Sequence, residues 1–461
     1  MWFATGIVMH FVPFPTLTET ERVEGFATID RSAVSNDAAA AARAAKIDDP
    51  ARIRLISRSG GPVYIVRSAT RLAAIHATDL TSAEVDTPAL ALEIASSHAR
   101  ARELQANTAR VVAFEAHDQW SVPNNLDAHR PLYRIALGDT EGTELYVSSV
   151  TGEVVRDTTA RERAWNYAGS VTHWIYPTAL RRDWRAWDAT VWTLSLAALL
   201  TALAGAVLGA LRVSPSRGHL ASPYRGWHAW HHWLGLACAV FVLTWITSGW
   251  LSMDHGRIFS TGKLDAAESS ALRGGRIAFD AAATAGLPEG AREIEWFVLG
   301  GRVYRRDRFD AAAQRLIAIG EASGRERAYL QAPEITAAAQ RLSSACGKAD
   351  AVQPGDAYAM HSVLPAAPVY RVICGDIWIH IDGADGEPLE KLDASRRAYR
   401  WFYSALHTLD FPALGARPVL RTALIVVLCA LGLAFSVTAV VIGWRRVTSS
   451  SGRAGPRRGR R

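Results

Sequence analysis

The chain has 461 residues, a formal net charge of +7 and 49% hydrophobic residues. The hydrophobic residues are concentrated in blocks, and three blocks without charged residues are long enough to cross a bilayer, which takes about 20 apolar residues. This pattern excludes a purely soluble globular protein. The absence of a phosphate-binding glycine loop, a GxSxG elbow and an HExxH motif from the sequence disfavours a hydrolase.

The chain begins with an apolar stretch that is too short to span a bilayer. Residues 1–13 read MWFATGIVMHFVP, and they lack the basic leader expected of a signal peptide. We expect this stretch to be the outer half of a first transmembrane helix whose beginning lies upstream of Met1.

Two long polar segments, 14–172 and 254–400, have mixed helical and strand character. Each is expected to form one α+β domain, an antiparallel sheet covered by a helix. The predicted helices are 38–45 and 87–104, and the predicted strands are 62–67, 109–115, 132–137, 291–299, 301–306 and 368–381.

Three complete apolar spans are predicted at 189–211, 233–253 and 422–444. Together with their interfacial flanks they define a second transmembrane helix at 173–212, a third at 227–253 and a fourth at 401–446. The fold class is therefore a membrane α-helical bundle, with three full spans and a truncated first span, that carries two α+β external domains.

The distribution of basic residues predicts the orientation. The loop 213–226 and the tail 447–461 carry Arg residues and no acidic residue, so both are expected in the cytoplasm. The external segments then face the periplasm of a bacterial inner membrane. A basic tail is also typical of nucleic-acid-binding arms, but beside a span it favours membrane lipid as the partner and no nucleic acid.

The four cysteines fit this placement. Cys238 and Cys429 lie inside predicted spans, where a thiol usually serves as a small apolar filler. Cys346 and Cys374 lie in the second external segment, where an oxidising compartment permits a disulfide. The sequence leaves that pairing open.

The two halves of the chain share landmarks, which predicts a tandem parallel repeat. Thr151 precedes His173 by 22 residues, and Asp385 precedes His407 by the same 22. The stretch WFATG at 2–6 also matches WITSG at 245–249. Two units in the same direction imply a pseudo-symmetry axis along the membrane normal.

Five histidines are candidate cofactor ligands. His173 and His407 occupy equivalent positions at the external entrance of the two return helices, so they are expected to face each other across the axis. Two opposed imidazoles suit an iron porphyrin with two axial histidines; a structural role and another metal remain alternatives. His228, His231 and His232 share one helix face near the cytoplasmic side, although an aromatic belt of Trp residues also explains that stretch in part.

By the same symmetry, His231 is the candidate ligand of a second, inner haem. Its partner would belong to the missing part of the first span. His228 or His232 is the substitute, but adjacent turns of one helix cannot reach both faces of a porphyrin. One or two molecules of haem b are therefore expected.

Several stretches resemble a known family. VSSVTGEVV at 147–155 and IDGADGEPL at 381–389 resemble the strand–turn core of PepSY domains. The spans at 231–253 and 3–22 resemble those of the PepSY-associated transmembrane helix family. The resemblance covers nearly the whole chain, and its members include haem-containing reductases of the bacterial inner membrane that act on ferric siderophores.

The resemblance implies an electron-transfer protein in which His173, His231 and His407 ligate haem iron. A quinol or a cytoplasmic reductase would be the donor, and a periplasmic acceptor such as a ferric siderophore would be reduced. The assignment as an enzyme stays open. The rival hypotheses are a non-enzymatic PepSY scaffold that binds peptides or modulates proteases, and a transporter component, which the lack of charged residues in the spans disfavours.

Overall fold

The structure is a computed structural model that describes residues 1–216, 219–275, 286–320, 326–359 and 367–451. Most of the predicted basic tail, residues 452–461, lies outside the described residues. The helices are α1 (Trp2–Phe11), α2 (Glu19–Glu24), α3 (Ala38–Ala44), α4 (Pro88–Ala101), α5 (Ala160–Asn166), α6 (Thr178–Arg181), α7 (Trp184–Leu211), α8 (Trp227–Ser252), α9 (Ala266–Arg273), α10 (Ala332–Leu342), α11 (Ala394–Tyr399), α12 (Leu406–Thr408), α13 (Pro412–Gly415) and α14 (Pro418–Ser451).

Short 3₁₀-helical turns occur at Arg31–Ala33 and Asn124–His129, and π-helical turns at Tyr167–Val171 and Arg400–Ala405. The strands are β1 (Arg52–Arg58), β2 (Gly61–Arg67), β3 (Leu72–His76), β4 (Arg110–Glu115), β5 (Leu132–Ala136), β6 (Glu144–Ser148), β7 (Val154–Thr158), β8 (Ser214–Ser216), β9 (His219–Ala221), β10 (Glu293–Leu299), β11 (Arg302–Arg308), β12 (Gln314–Ala318), β13 (Asp350–Ala351), β14 (Val369–Cys374), β15 (Ile377–Asp382) and β16 (Pro388–Leu392).

The chain divides into two compact units, and the first contains the apolar helices. In the described part of the chain, α7, α8 and α14 are long and apolar enough to cross a membrane, with mean hydropathies of 2.2, 1.8 and 2.8. These helices confirm the three predicted spans. The shorter α1 covers 10 residues. Helix α8 packs against both α7 and α14, and α1 packs against α14, where Gly432 leaves room for the Phe3 ring.

The second unit consists of residues 15–164 and 260–397, so it combines both external segments. Its central sheet has the antiparallel order β12-β11-β10-β1-β2-β3, in which Leu55 of β1 lies opposite Ile294 of β10. The two segments are predicted to form separate domains, whereas in the structure each contributes three strands to one sheet. Each segment also has its own four-stranded sheet, β4-β5-β6-β7 in the first and β13-β14-β15-β16 in the second.

Separate apolar clusters fill the spaces between these layers. Helix α4 packs on the first four-stranded sheet, with Ile94 and Ile135 in the shared core. Helix α10 contributes Ile335 to a cluster that also contains Phe297 and Ile379, from the central and the second four-stranded sheet. Burial of these side chains is the main source of stability in such layered folds.

Buried ion pairs connect the layers at the middle of the central sheet. Glu293 is fully buried and accepts hydrogen bonds from Arg22 (2.7 and 3.0 Å) and Arg54 (2.9 Å). Arg54 also binds both carboxylate oxygens of Glu153, at 2.7 and 2.9 Å. Burial alone would raise the pKa of Glu293, but Arg22 and Arg54 hold it well below its usual range.

A disulfide joins Cys346 and Cys374, the pairing that the sequence left open. It links the segment after α10 to the end of β14, and the two residues also form an isolated β-bridge. Cys238 and Cys429 are free and buried in the membrane unit, which agrees with their expected role as apolar fillers.

Candidate functional site

His173 and His407 lie in matching local structures. Each lies two residues after the last residue of a π-helical turn, and π-helical turns are frequent at functional sites. Each is followed two residues later by a non-glycine residue in the left-handed region, Ile175 or Leu409, both with φ of 52°. A left-handed bulky residue costs about 1–3 kcal/mol. Both histidines are thus held in short, strained segments, as ligand-binding residues often are.

The membrane unit brings these two histidines together, as expected. Their ring centroids are 6.3 Å apart, and the ring planes are inclined by 76°. Nδ1 of His173 lies 2.9 Å from the hydroxyl of Thr5. Nδ1 of His407 lies 3.1 Å from the hydroxyl of Ser248 and 3.2 Å from the carbonyl oxygen of Trp245.

The hydroxyl groups determine the tautomer of both rings. Thr5 donates its hydroxyl hydrogen to the carbonyl of Trp2 at 3.0 Å, and Ser248 donates to the carbonyl of Trp245 at 3.1 Å. Because a hydroxyl has one hydrogen, each oxygen can only accept from the histidine. Nδ1 therefore carries the proton, and the lone pair is on Nε2. Among the described residues, neither Nε2 has a hydrogen-bond partner.

Two glycines leave space beside the imidazoles. A Cβ atom added at Gly249 would lie 3.1 Å from Cε1 of His407, closer than a relaxed contact. A Cβ at Gly6 would lie 3.8 Å from Cε1 of His173. These are the last residues of the matching stretches WFATG and WITSG, so one short pattern supplies the hydroxyl acceptor and a glycine against which the imidazole packs.

His231 has the same hydrogen-bond arrangement on a different helix. Its Nδ1 lies 2.9 Å from the hydroxyl of Thr438, which donates to the carbonyl of Phe435 at 2.5 Å. The ring stacks on Phe435, with centroids 4.7 Å apart. His231 precedes Ser248 by 17 residues in α8, a helical rise of about 25 Å. This rise is close to the hydrocarbon thickness of about 30 Å.

The other two predicted ligands differ from His231. Both ring nitrogens of His232 are engaged, Nδ1 by the hydroxyl of Ser222 and Nε2 by the carbonyl of Gly209, each at 2.8 Å. This arrangement leaves His232 without a free nitrogen and links α8 to α7. His228 lies on an exposed part of α8. The structure therefore separates the three neighbouring histidines into different environments.

Polar residues near the C-terminal ends of α1 and α8 form separate pairs. Nε2 of His10 lies 3.0 Å from the Thr422 hydroxyl. Nδ1 of His255 lies 2.6 Å from a carboxylate oxygen of Asp188, and its ring stacks on Trp192. In the described part of the chain, no group of three or more His, Cys, Asp or Glu side chains could hold a metal ion. The candidate site therefore rests on the two histidines His173 and His407 alone.

Sequence reasoning identified the histidines but missed Thr5, Ser248 and Thr438. The signal was present in the paired stretches WFATG and WITSG, where the hydroxyl residue occupies the same position. Thr438 has no such matching stretch. Its role depends on α8 packing against α14, which local sequence does not encode.

The apolar helices and the sheet-containing unit define a multi-pass membrane protein with α+β soluble regions. The family model described as the PepSY-associated TM region matches residues 3–446. The chain therefore belongs to this family, as the sequence resemblance indicated. No curated protein matches the chain.

Proposed function

We propose that the chain is a haem-binding electron-transfer protein of the bacterial inner membrane, in which His173 and His407 are the two axial ligands of one haem b. The observation that carries the proposal is the pair of neutral imidazoles. Both have Nδ1 tied to a hydroxyl and Nε2 left with a lone pair, and their centroids lie 6.3 Å apart.

The separation of the rings fits this role. A metal–imidazole bond is about 2.0 Å long, so two imidazoles on opposite sides of one metal ion have centroids about 6 Å apart. A ligating histidine usually donates its other ring N–H to a fixed acceptor, which orients the ring. Thr5 and Ser248 supply these acceptors, and Gly6 and Gly249 keep the nearby helix surface free of side chains.

Haem, when bound, supplies one-electron transfer at its iron. The protein residues keep both imidazoles neutral and oriented, because the hydroxyl groups are themselves fixed by backbone carbonyls. The surrounding apolar helices exclude water, which favours a cofactor held by neutral nitrogen ligands over a hydrated ion.

His231 is proposed as a ligand of a second, inner haem. Its Nδ1 has the same hydroxyl acceptor arrangement as the outer pair, and the rise of about 25 Å along α8 suits two sites near opposite faces of a membrane. His228 and His232 are the possible partners on the same helix face, but the engaged nitrogens of His232 favour a ligand from elsewhere.

The chain is also proposed to be a tandem parallel repeat. Each external segment runs through a three-stranded meander, a helix, a four-stranded sheet and a π-helical turn before its histidine. Strands β1–β3 correspond to β10–β12, helix α4 corresponds to α10, and strands β4–β7 correspond to β13–β16. This shared order supports the equivalence of His173 and His407.

The proposed orientation has the basic loop 213–226 and the tail 447–461 in the cytoplasm and the sheet-containing unit in the periplasm. The disulfide between Cys346 and Cys374 supports an oxidising compartment for that unit. A quinol or a cytoplasmic reductase is proposed as the electron donor, and a ferric siderophore as the electron acceptor. Membrane lipid is a further proposed partner of the protein, and nucleic acid is not.

The test is a reduced-minus-oxidised visible spectrum of the purified protein expressed with haem available. A b-type spectrum is expected for the wild type, with strong losses in His173→Ala and in His407→Ala. The exposed His228→Ala, which can affect only the proposed inner site, should leave the part of the signal that His173→Ala and His407→Ala remove unchanged. A colourless wild-type protein would refute haem binding and favour a non-enzymatic PepSY scaffold.

A further inference from the structure

The sheet-containing unit has a small pocket between β1, α4 and the turn that precedes β7. Its volume is about 10 Å³, on the order of one solvent molecule or small ion. The residues that matter for its chemistry are Gly25, Ser57, Arg58, Ser97, His98 and Gly152.

Arg58 places a positive charge in this pocket, and among the described residues no carboxylate forms a salt bridge with it. The residue is 7% exposed, and its Nη2 donates to the carbonyl of Ala83. Nε and Nη1 have no hydrogen-bond partner in the part of the chain that the structure describes. Nearby Glu153 is already bound by both terminal nitrogens of Arg54, at 2.7 and 2.9 Å. An unpaired buried charge is costly, and burial lowers the pKa of Arg58 to about 10.

His98 adds a second polar group to the same pocket. It is 4% exposed, and its Nε2 has no partner among the described residues. Glycines make room for both side chains: a Cβ at Gly25 would overlap the His98 ring, and a Cβ at Gly152 would lie 2.7 Å from Cζ of Arg58. The local backbone is therefore built around these two polar groups.

The second external segment shows that the architecture does not require a charge here. Leu299 ends β10 as Arg58 ends β1, and a Cβ at Gly386 would lie 3.0 Å from Cδ2 of Leu299. This geometry matches that of Gly152 and Arg58. Leu299 packs in an apolar cluster with Ala338 of α10, whereas α4 presents polar side chains. A leucine thus fills the corresponding position, and the arginine needs another explanation.

The surrounding charges leave Arg58 in excess. Within the neighbouring ion-pair cluster, three arginines face three carboxylates: Arg22, Arg54 and Arg308 with Glu19, Glu153 and Glu293. This cluster is neutral as a whole, so the charge of Arg58 is not offset within it.

We propose that this pocket binds a single small inorganic anion of about the size of chloride, with Arg58 supplying charge and two N–H donors and His98 donating from Nε2. A bound anion would tie the end of β1, the middle of α4 and the turn at Gly152 together, so its effect is stabilisation of the first external segment.

The experiment measures the melting temperature, Tm, of the purified full-length protein by tryptophan fluorescence, in sodium chloride and in sodium gluconate at equal ionic strength. Wild type should gain about 2–4 °C once chloride exceeds its Kd about fivefold. Arg58→Leu, which copies the arrangement at Leu299, should fold and lose this gain. Arg100→Leu removes an exposed arginine of α4, the helix that lines the pocket, and should keep the gain in Tm.

Gly25→Ala provides a second variant, because its backbone conformation tolerates alanine while the added methyl displaces His98; it should also lose the chloride effect. In crystals grown with bromide, an anomalous peak beside Arg58 is expected. The proposal is overturned if wild type gains no Tm from chloride over gluconate, or if Arg58→Leu gains as much as wild type. Neither result depends on haem, so the proposed function is tested separately.

Discussion

The hydroxyl groups beside His173 and His407 give an asymmetric prediction. Thr5→Val removes the only side-chain acceptor of the Nδ1–H of His173 while keeping the side-chain volume. The backbone carbonyl of Trp2 also interacts with this ring, but outside ordinary hydrogen-bond geometry. Ser248→Ala removes one acceptor of His407, but the carbonyl of Trp245 remains 3.2 Å away. If these imidazoles ligate haem, Thr5→Val should weaken haem binding more than Ser248→Ala.

The magnitude follows from the loss of orientation. Removing the group that orients a ligating histidine costs about 10–100-fold in affinity, or about 1.4–2.7 kcal/mol. We expect this range for Thr5→Val and less than about tenfold for Ser248→Ala, since one acceptor is retained. The assay is titration of haem-free protein with haem, followed by Soret absorbance.

Ser252→Ala is the matched control, because Ser252 donates to the carbonyl of Gly249 in the same helix (2.6 Å) and its hydroxyl makes no hydrogen bond with a histidine among the described residues. The reasoning is refuted if Thr5→Val binds haem as tightly as Ser252→Ala. It is equally refuted if Ser248→Ala is the weaker binder of the two.

Three further predictions concern the external unit. Glu293→Gln should lower the free energy of unfolding by about 3–5 kcal/mol, because it leaves buried arginines without a counter-charge. Glu289→Gln, at an exposed residue, should lower it by less than about 1 kcal/mol. Equal losses for the two variants in urea unfolding would contradict this prediction. Burial, and to a lesser extent the charge of Arg371, lower the pKa of His380 from 6.5 to about 4. As the pH falls, His380 is therefore protonated in the unfolded chain before it is protonated in the folded protein, and the free energy of unfolding decreases between pH 6.5 and about 4. His380→Gln should reduce the loss of Tm between neutral and mildly acidic pH, and an unchanged pH profile would count against it. Cys346→Ser should lower stability by about 3 kcal/mol, as expected for a loop of 28 residues, and reduction of the wild type should lower Tm similarly in a thermal scan.

Much of the fold was predictable because its elements have local signals. Charge-free apolar runs identified the three long helices, and strand patterns at 132–137 and 291–299 match β5 and β10 to within two residues. The region 368–381, predicted as strand throughout, is a hairpin of two strands, since Gly375 makes the turn with φ of 62°.

The shared central sheet was not predictable in this way. Strands β1 and β10 are each the edge of their own three-stranded meander, and they pair although they lie far apart in the chain. No local sequence signal specifies which strand pairs with such an edge. The charges of β10 and β11 also resemble those of a solvated surface, yet Glu293 and Asp307 are fully buried. Burial depends on arginines from other elements, which only the assembled fold reveals.

The central sheet also sets an order of events during synthesis. Strand β1 leaves the ribosome early, whereas its partner β10 follows only after α7 and α8 have been made. Until then β1 has an open edge, and the carboxylate of Glu153 can reach Arg54 but Arg54 lacks Glu293. An open strand edge invites pairing with other chains. We therefore expect the newborn first segment to be prone to such pairing until the second segment arrives.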